Sequence, residues 1–186
     1  PDRCVEPGTG SGPVPAPPTP PAPISKTIAK PSTAAVFGQA YYAKADHSLA
    51  MTIQNVAYRA ERFNIDNTPD TADQTLPDHN QKFAVITFHV TNTSHDTQHV
   101  RYDTFSFLLT DAAGQPTSTW HSLYRASDQL DQERDLAPGE GADFQVYDTM
   151  ANDSAIRTID MSADDPTTHS LYTVADGQVT ALPTIV

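Results

Sequence analysis

Apolar and polar side chains alternate with a period of two along residues 82–93, which is the spacing typical of a β-strand. The even-numbered positions within 84–90 are all apolar, whereas the odd-numbered positions mix phenylalanine and valine with threonine and histidine. Residues 48–58 alternate in the same way. We therefore predict two long strands. We expect the strand over 82–93 to be central to a sheet, with one face in the core.

Turn-forming residues divide the rest of the chain into further short strands. A strand over 104–110 ends at the sequence Asp-Ala-Ala-Gly, where glycine can adopt the positive φ of a turn, and this predicts a hairpin to residues 115–124. The Leu-Ala-Pro-Gly-Glu-Gly sequence at 136–141 precedes a strand predicted over 142–147. Near the C-terminus we predict a strand over 155–161 and a hairpin of 171–174 with 178–182 about an Asp-Gly turn.

The fold class follows from this succession of strands. About seven to nine strands separated by turns, without helical periodicity to cover a parallel sheet, favour an all-β, antiparallel β-sandwich. Residues 64–81 are polar and acidic and are predicted to form a long loop, and residues 125–135 to form a loop or a short helical turn.

Proline content separates the start of the chain from this β-rich body. Nine of the 16 prolines lie within residues 1–23. We predict an extended Pro/Gly-rich tail or stalk over 1–34, with polyproline II geometry of about 3.1 Å per residue, and a sandwich domain over 35–186. The alternative is a proline-rich ligand for an aromatic groove, because P-x-x-P spacings occur within the tail.

The charge of the chain excludes one large class of partner. It has 11 lysines and arginines against 23 aspartates and glutamates, a net charge of −12. Affinity for a phosphate backbone comes from lysine and arginine displacing counterions, so we expect no nucleic-acid binding. Anionic membrane surfaces are disfavoured for the same reason, and no apolar run approaches the roughly 20 residues of a membrane span.

Four segments of the body resemble the bacterial telokin-like, immunoglobulin-like domain: residues 49–56, 83–93, 105–114, and 136–139 followed by Phe144. The resemblance covers about residues 38–162 and implies an immunoglobulin-like sandwich without general catalytic residues. It also implies an extracytoplasmic setting, because that family occurs mainly on secreted proteins and lipoproteins of the bacterial envelope, often behind a low-complexity stalk. The acidic insertion at 64–81 and the predicted C-terminal strand pair depart from the family pattern.

Cys4 is the single cysteine and therefore forms no internal disulfide. One hypothesis is that it follows a removed signal peptide and carries a lipid, with the tail as a stalk. Such a lipid would be the only contact with a membrane. The alternative is an unmodified cysteine in the tail.

Histidines provide the richest candidate chemistry. The densest group of potential metal ligands is His89, His95, Asp96 and His99. Zinc or copper requires imidazoles that converge on one point, and an H-x3-H pair does so on a helical turn, whereas residues 91–99 are predicted to form a loop between strands. The alternative is a set of exposed loop histidines. No cofactor is otherwise expected.

Three aromatic residues, Tyr41, Tyr42 and Trp120, are candidates for a recognition surface, because tyrosine and tryptophan suit sites with one apolar and one wet side. The alternative places them in the core or at its rim. The chain contains neither a G-x-S-x-G nucleophile elbow nor a phosphate-binding glycine loop, so we expect no enzyme and no obligate small-molecule substrate.

Taken together, these features predict a non-catalytic interaction module of the bacterial cell envelope, in the periplasm or on the cell surface. Its expected partners are other cell-envelope or outer-membrane proteins, with the chain as an accessory subunit of a larger surface assembly. Two alternatives remain: an envelope protein that binds copper or zinc through the histidine-rich loop, and a carbohydrate-binding protein.

Overall fold

The computed structural model describes residues 27–59, 62–63, 74–75, 80–101, 104–116, 123–125, 133–163 and 168–181. Within these residues the secondary structure consists of strands and turns, and no helix that could span a bilayer is found there. The strands are β1 (Ile28–Ala29), β2 (Ala40–Tyr42), β3 (Leu49–Arg59), β4 (Arg62–Phe63), β5 (Gln74–Thr75), β6 (Gln81–Asn92), β7 (Gln98–Arg101), β8 (Phe105–Asp111), β9 (Leu123–Arg125), β10 (Glu133–Leu136), β11 (Gly141–Ala151), β12 (Ile156–Ala163), β13 (His169–Thr173) and β14 (Thr180–Ala181).

Two packed sheets form a β-sandwich, as the alternation predicts. The large sheet has the order β1-β2-β3-β6-β11-β9, with β14 also paired to β3, and the small sheet has the order β13-β12-β8. Two further pairs, β10-β7 and β4-β5, form separate two-stranded ladders. Pairing is antiparallel except at β1-β2 and β14-β3, which are parallel. The all-β sandwich is thus confirmed, with two short parallel additions at one side of the large sheet.

Strand β6 occupies the centre of the large sheet. It pairs with β3 on one side and with β11 on the other along most of its length. Its even-numbered side chains within 84–90, which are Ala84, Ile86, Phe88 and Val90, are buried in the core. The predicted position and inward face of this strand are therefore confirmed.

Aromatic contacts of Phe88 join the two sheets. Its ring centroid lies 5.7 Å from that of Phe105 and 5.0 Å from that of Phe107, both on β8 of the small sheet. Phe144 of β11 stacks on the same ring at 5.9 Å. These separations fall in the range of favourable aromatic pairs, so this cluster fixes how the sheets face each other.

The turn at 111–114 is confirmed, but the hairpin to 115–124 is only partly correct. The Asp111 amide donates to the Gln115 carbonyl at 2.9 Å, and Gly114 has a φ of 75°. A bridge between Thr110 and Pro116 continues the turn. However, β9 pairs with β11 rather than with β8. The reason is that β11 pairs with β6 along one edge only, so its other edge is open to β9.

The predicted C-terminal hairpin is wrong beyond its turn. Gly177 has a φ of 80°, and the Gln178 amide donates to the Ala175 carbonyl at 3.1 Å, so the turn forms. The chain then crosses to the large sheet, where β14 pairs with β3. The physical reason is that both edges of β13 are occupied. β12 pairs along one edge, and residues 32–35 bond to Leu171 along the other.

Residues before position 35 also belong to the sandwich. β1 pairs with β2, and the Leu171 amide donates to the Ser32 carbonyl at 2.9 Å. Ala35 is buried and bridges to Tyr172. The folded body therefore includes residues from β1 onward, inside the span predicted as tail.

Replacing Phe88 by alanine is expected to lower the free energy of unfolding by about 3–5 kcal/mol, because the side chain is fully buried against three rings. Urea denaturation followed by circular dichroism measures this change. Ser106→Ala, at an exposed position of β8, serves as the control and should change it by less than about 0.5 kcal/mol. A loss below about 1 kcal/mol for Phe88→Ala would contradict the central role of this ring.

Candidate functional site

His89 lies on the outer face of the large sheet, because its neighbours Phe88 and Val90 point into the core. Asp143 is directly opposite on β11, and the His89 Nδ1 lies 2.7 Å from the Asp143 Oδ1. Gln54 donates to the same oxygen from 3.1 Å. The pairing of β3 with β6 shifts register between Ile53 and Asn55, so Gln54 is an extra residue in β3. This bulge aims the amide at Asp143.

Gly141 explains the orientation of the His89 ring. A Cβ at this position would overlap the His89 Nε2 and lie 3.0 Å from the Val90 carbonyl oxygen. The ring therefore packs against the backbone of β11, in the space that only glycine leaves. With Nδ1 held by Asp143 and Nε2 placed over Gly141, His89 is part of an ordered polar cluster, with 23% of its side chain exposed.

His99 lies on the two-stranded ladder of β7 and β10, apart from His89. Its Nδ1 is 2.6 Å from the Asp135 Oδ1, and its Nε2 is 3.6 Å from the Glu133 Oε2. The two carboxylates are two residues apart on β10 and so share one face. The hydrogen bond that the His99 ring donates to Asp135 is the main reason that the pKa of His99 is raised above its ordinary value.

The other two predicted metal ligands, His95 and Asp96, lie exposed in the loop between β6 and β7. Buried Asn92 organises this loop, since its Nδ2 donates to the carbonyl oxygens of Asp96 and Leu136 at 2.8 Å each. Among the described residues, no three histidine, cysteine, aspartate or glutamate side chains are grouped so that they could hold a metal ion. The four predicted ligands are thus not brought together, and copper or zinc binding stays a prediction.

The predicted interaction residues are placed on different sides of the sheet. Tyr41 is in the core with 5% of its surface exposed, and its hydroxyl accepts a hydrogen bond from the Val36 amide at 3.0 Å. Tyr42 faces the other way and stacks on His47, with 4.1 Å between ring centroids. Tyr42 is therefore the ring available to a ligand such as a carbohydrate, which also stays a prediction. Trp120 and Cys4 lie outside the described residues.

A feature that the sequence analysis missed lies on the outer face of the small sheet. Leu108 on β8 and Leu171 on β13 both pair with Asp160 of β12, so the three side chains form one row across the sheet. Leu108 is 46% exposed. Val36 follows Ala35 at the β13 edge of the same sheet and is 58% exposed. These two are the exposed large apolar side chains of the described residues.

Polar groups surround this row. The Nδ1 of His169 lies 3.2 Å from the Asp160 Oδ1. Thr110 and Thr158, paired on neighbouring strands, are joined by a hydrogen bond between their hydroxyl groups. The described outer face of the small sheet therefore combines two leucines with a carboxylate, an imidazole and short hydroxyl side chains, and exposed Val36 lies beside its β13 edge. We call the set Val36, Leu108, Asp160, His169 and Leu171 the small-sheet patch.

Part of this patch had a signal in the sequence. Phe105, Phe107 and Leu109 alternate inward on β8, so Leu108 must point outward, and an outward leucine is worth noting in a strand. The contribution of Asp160 and Leu171 had no such signal, because it depends on which strands pair and in what register.

Comparisons with known proteins support the fold alone. No protein-family model matches the chain, and no curated protein matches it. An uncharacterized β-sandwich protein from Clostridium difficile 630 is similar in structure, with 11% identity, a TM-score of 0.53, and coverage of 82% of this chain and 99% of that chain. The yjhA protein from Bacillus subtilis has 9% identity, a TM-score of 0.49, and coverage of 75% of this chain and 98% of that chain. The first likeness is consistent with the β-sandwich described above.

The pH dependence of His99 tests the ladder between β7 and β10. Because Asp135 raises its pKa, His99 binds a proton more tightly in the folded than in the unfolded chain. Its contribution to stability is therefore complete below the ordinary value of 6.5 and is lost as the pH rises through the folded-state pKa. An NMR titration of the ring protons should show a pKa above 6.5, which Asp135→Asn moves back toward 6.5.

The matched control is Asp160→Asn, which removes the carboxylate beside His169 instead. It should leave the titration of His99 unchanged. A wild-type His99 that titrates at or below 6.5 would show that the contact with Asp135 does not form in solution.

Proposed function

We propose that this chain is a non-catalytic protein-interaction module of the bacterial cell envelope, which binds a partner protein through the small-sheet patch. The observation that carries the proposal is the row of Leu108, Asp160 and Leu171 across the outer face of the small sheet, in which Leu108 is 46% exposed, with exposed Val36 beside the β13 edge. Clustered exposed apolar groups with polar neighbours are typical of interaction sites, whereas scattered ones are not.

The patch has the composition of a small interface. Complete burial of a leucine or valine side chain is worth about 1.5–3 kcal/mol, so covering these half-exposed side chains is worth on the order of 1 kcal/mol each. Asp160, between Leu108 and Leu171, adds a directional contact, because a donor on the partner can bind its carboxylate. A partner with an apolar surface and a basic or amide group at its centre fits this arrangement.

Two further features support a binding function without chemistry. The chain contains neither a G-x-S-x-G nucleophile elbow nor a phosphate-binding glycine loop. The His89 and Asp143 pair resembles a catalytic dyad in its hydrogen bond, but the Nε2 of His89 packs over Gly141 and makes no hydrogen bond to a nucleophile within the described residues. This packing favours a structural role for the pair.

The envelope setting is supported by the resemblance to telokin-like domains and by the proline-rich first 23 residues. A spacer of this composition holds a folded domain away from its point of attachment. A domain of the envelope that is held on such a spacer can reach a larger surface assembly, and this fits an accessory subunit.

Site-specific crosslinking tests the proposed surface. A photo-crosslinking amino acid at position 108, expressed in the source cells, should give one discrete adduct with an envelope protein, which mass spectrometry identifies. The same group at position 97, in the exposed loop before β7, is the control and should not give that adduct. Leu108→Asp should then weaken binding to the identified partner at least about tenfold, while Thr97→Asp has little effect.

Because Leu108 is exposed, the aspartate variant should keep the urea midpoint of the wild type, which separates lost binding from lost folding. Equal crosslinking from positions 97 and 108, or unchanged affinity in Leu108→Asp, would reject the small-sheet patch as the binding surface.

A further inference from the structure

A cavity of about 180 Å³ lies at the end of the sandwich where β6 begins and β11 ends. Its polar lining comes from Gln81, Asp111, Thr149 and Ser154. Pro116, Met150 and Ala151 supply apolar lining. Residues from β8 and the turn after it thus face residues from the large sheet. The cavity shares no residue with the small-sheet patch.

One residue that lines this cavity has a side-chain acceptor without a partner. The Oε1 of Gln81 is buried and receives no hydrogen bond within the part of the chain that the structure describes. Leaving a buried acceptor unsatisfied costs about 1–3 kcal/mol. The oxygen has almost no accessible surface, so a donor reaches it only when the Gln81 amide turns toward the cavity, and such a donor would remove that cost.

Asp111 provides a second, charged acceptor. Its Oδ1 accepts hydrogen bonds from the amides of Ala113 and Gln115 at 2.9 Å each, so the turn fixes the orientation of the carboxylate. The Oδ2 accepts none from the described residues. A fixed carboxylate on a chain of net charge −12 favours a positively charged donor.

We infer that this cavity binds a primary ammonium or guanidinium group carried on a short alkyl chain. The cationic head would donate to Gln81 and Asp111, and the alkyl part would lie against Pro116 and Met150. The volume of about 180 Å³ is well above the roughly 10–15 Å³ that one water requires, so the cavity has room for a short alkyl chain with its cationic head. Calcium fits less well, because it requires six to eight oxygens and the described lining of the cavity offers one carboxylate.

This ligand chemistry has two sources: a lysine or arginine side chain of a partner protein, or a free alkyl diamine. The first source rests on the proposed interaction function, whereas the second does not. Because the cavity and the small-sheet patch have different residues, loss of one kind of binding leaves the other measurable.

Titration of the full chain with butylammonium chloride, followed by the NMR shifts of backbone amides, tests the inference directly. We expect saturable shifts at Gln81, Asp111, Thr149 and Ser154, and no such shifts with butanol, which has the same chain without the charge. N-acetyl-lysine methylamide and cadaverine then separate the two sources. Tighter binding of the lysine derivative indicates a protein side chain, and tighter binding of cadaverine indicates a free diamine.

Asp111→Asn should weaken butylammonium binding about tenfold, because it removes the charge but keeps the oxygen that accepts the turn hydrogen bonds. Asp46→Asn is the matched control. The Oδ1 of Asp46 also accepts a backbone hydrogen bond in a turn, from Ser48, and this variant should bind within about twofold of the wild type.

Gln81→Met keeps the length of the side chain and removes the orphaned acceptor, so it tests the site even where Asp111→Asn fails to fold. It should weaken butylammonium binding about fivefold. The inference is overturned if butanol and butylammonium shift the same amides equally, if both cavity variants bind like the wild type, or if calcium chloride shifts these amides and displaces butylammonium.

Discussion

The packing of Phe88 between the sheets is the interaction on which the rest of the structure depends. β6 carries this ring into the core and is hydrogen-bonded to β3 and β11 on its two sides. Contacts with Phe105, Phe107 and Phe144 then bring both layers of the sandwich onto one side chain. β6 is thus held by β3 on one side, by β11 on the other and by the small sheet across the core. Its outward-facing side chains and those at its ends are therefore held in place as well.

The candidate sites follow from this central strand. Alternation turns His89 outward, opposite Asp143, and the glycine at 141 leaves room for its ring. The first residue of β6, Gln81, pairs with Ala151 and lines the cavity at the end of the sandwich. The small sheet is positioned by its inward phenylalanines, and this leaves Leu108 on the outside. A polar cluster, a cavity and an apolar patch thus occupy separate surfaces of one rigid framework.

Local periodicity was enough to predict β3, β6 and β8 and the inward face of β6, because alternation is encoded in adjacent residues. Pairings between distant segments were not predictable in this way. The crossing of β14 to β3 depends on both edges of β13 being occupied, and the contact of His99 with Asp135 depends on the pairing of β7 with β10. The cavity depends on residues from β6, β8 and β11 meeting at one end of the sandwich, and neither this meeting nor the unpaired oxygen of Gln81 is revealed by a sequence pattern.

Hydrogen exchange of backbone amides tests the central role of β6 most directly. Amides that open only when the whole domain unfolds exchange slowest. The account predicts that the amides of Ile86, Phe88 and Val90 have this slowest exchange, with a free energy of opening equal to that of global unfolding, and that the β7 and β10 ladder opens at lower cost. Exchange of the Phe88 amide as fast as that of Asp135 in β10 would contradict the claim that the sandwich is organised around this strand.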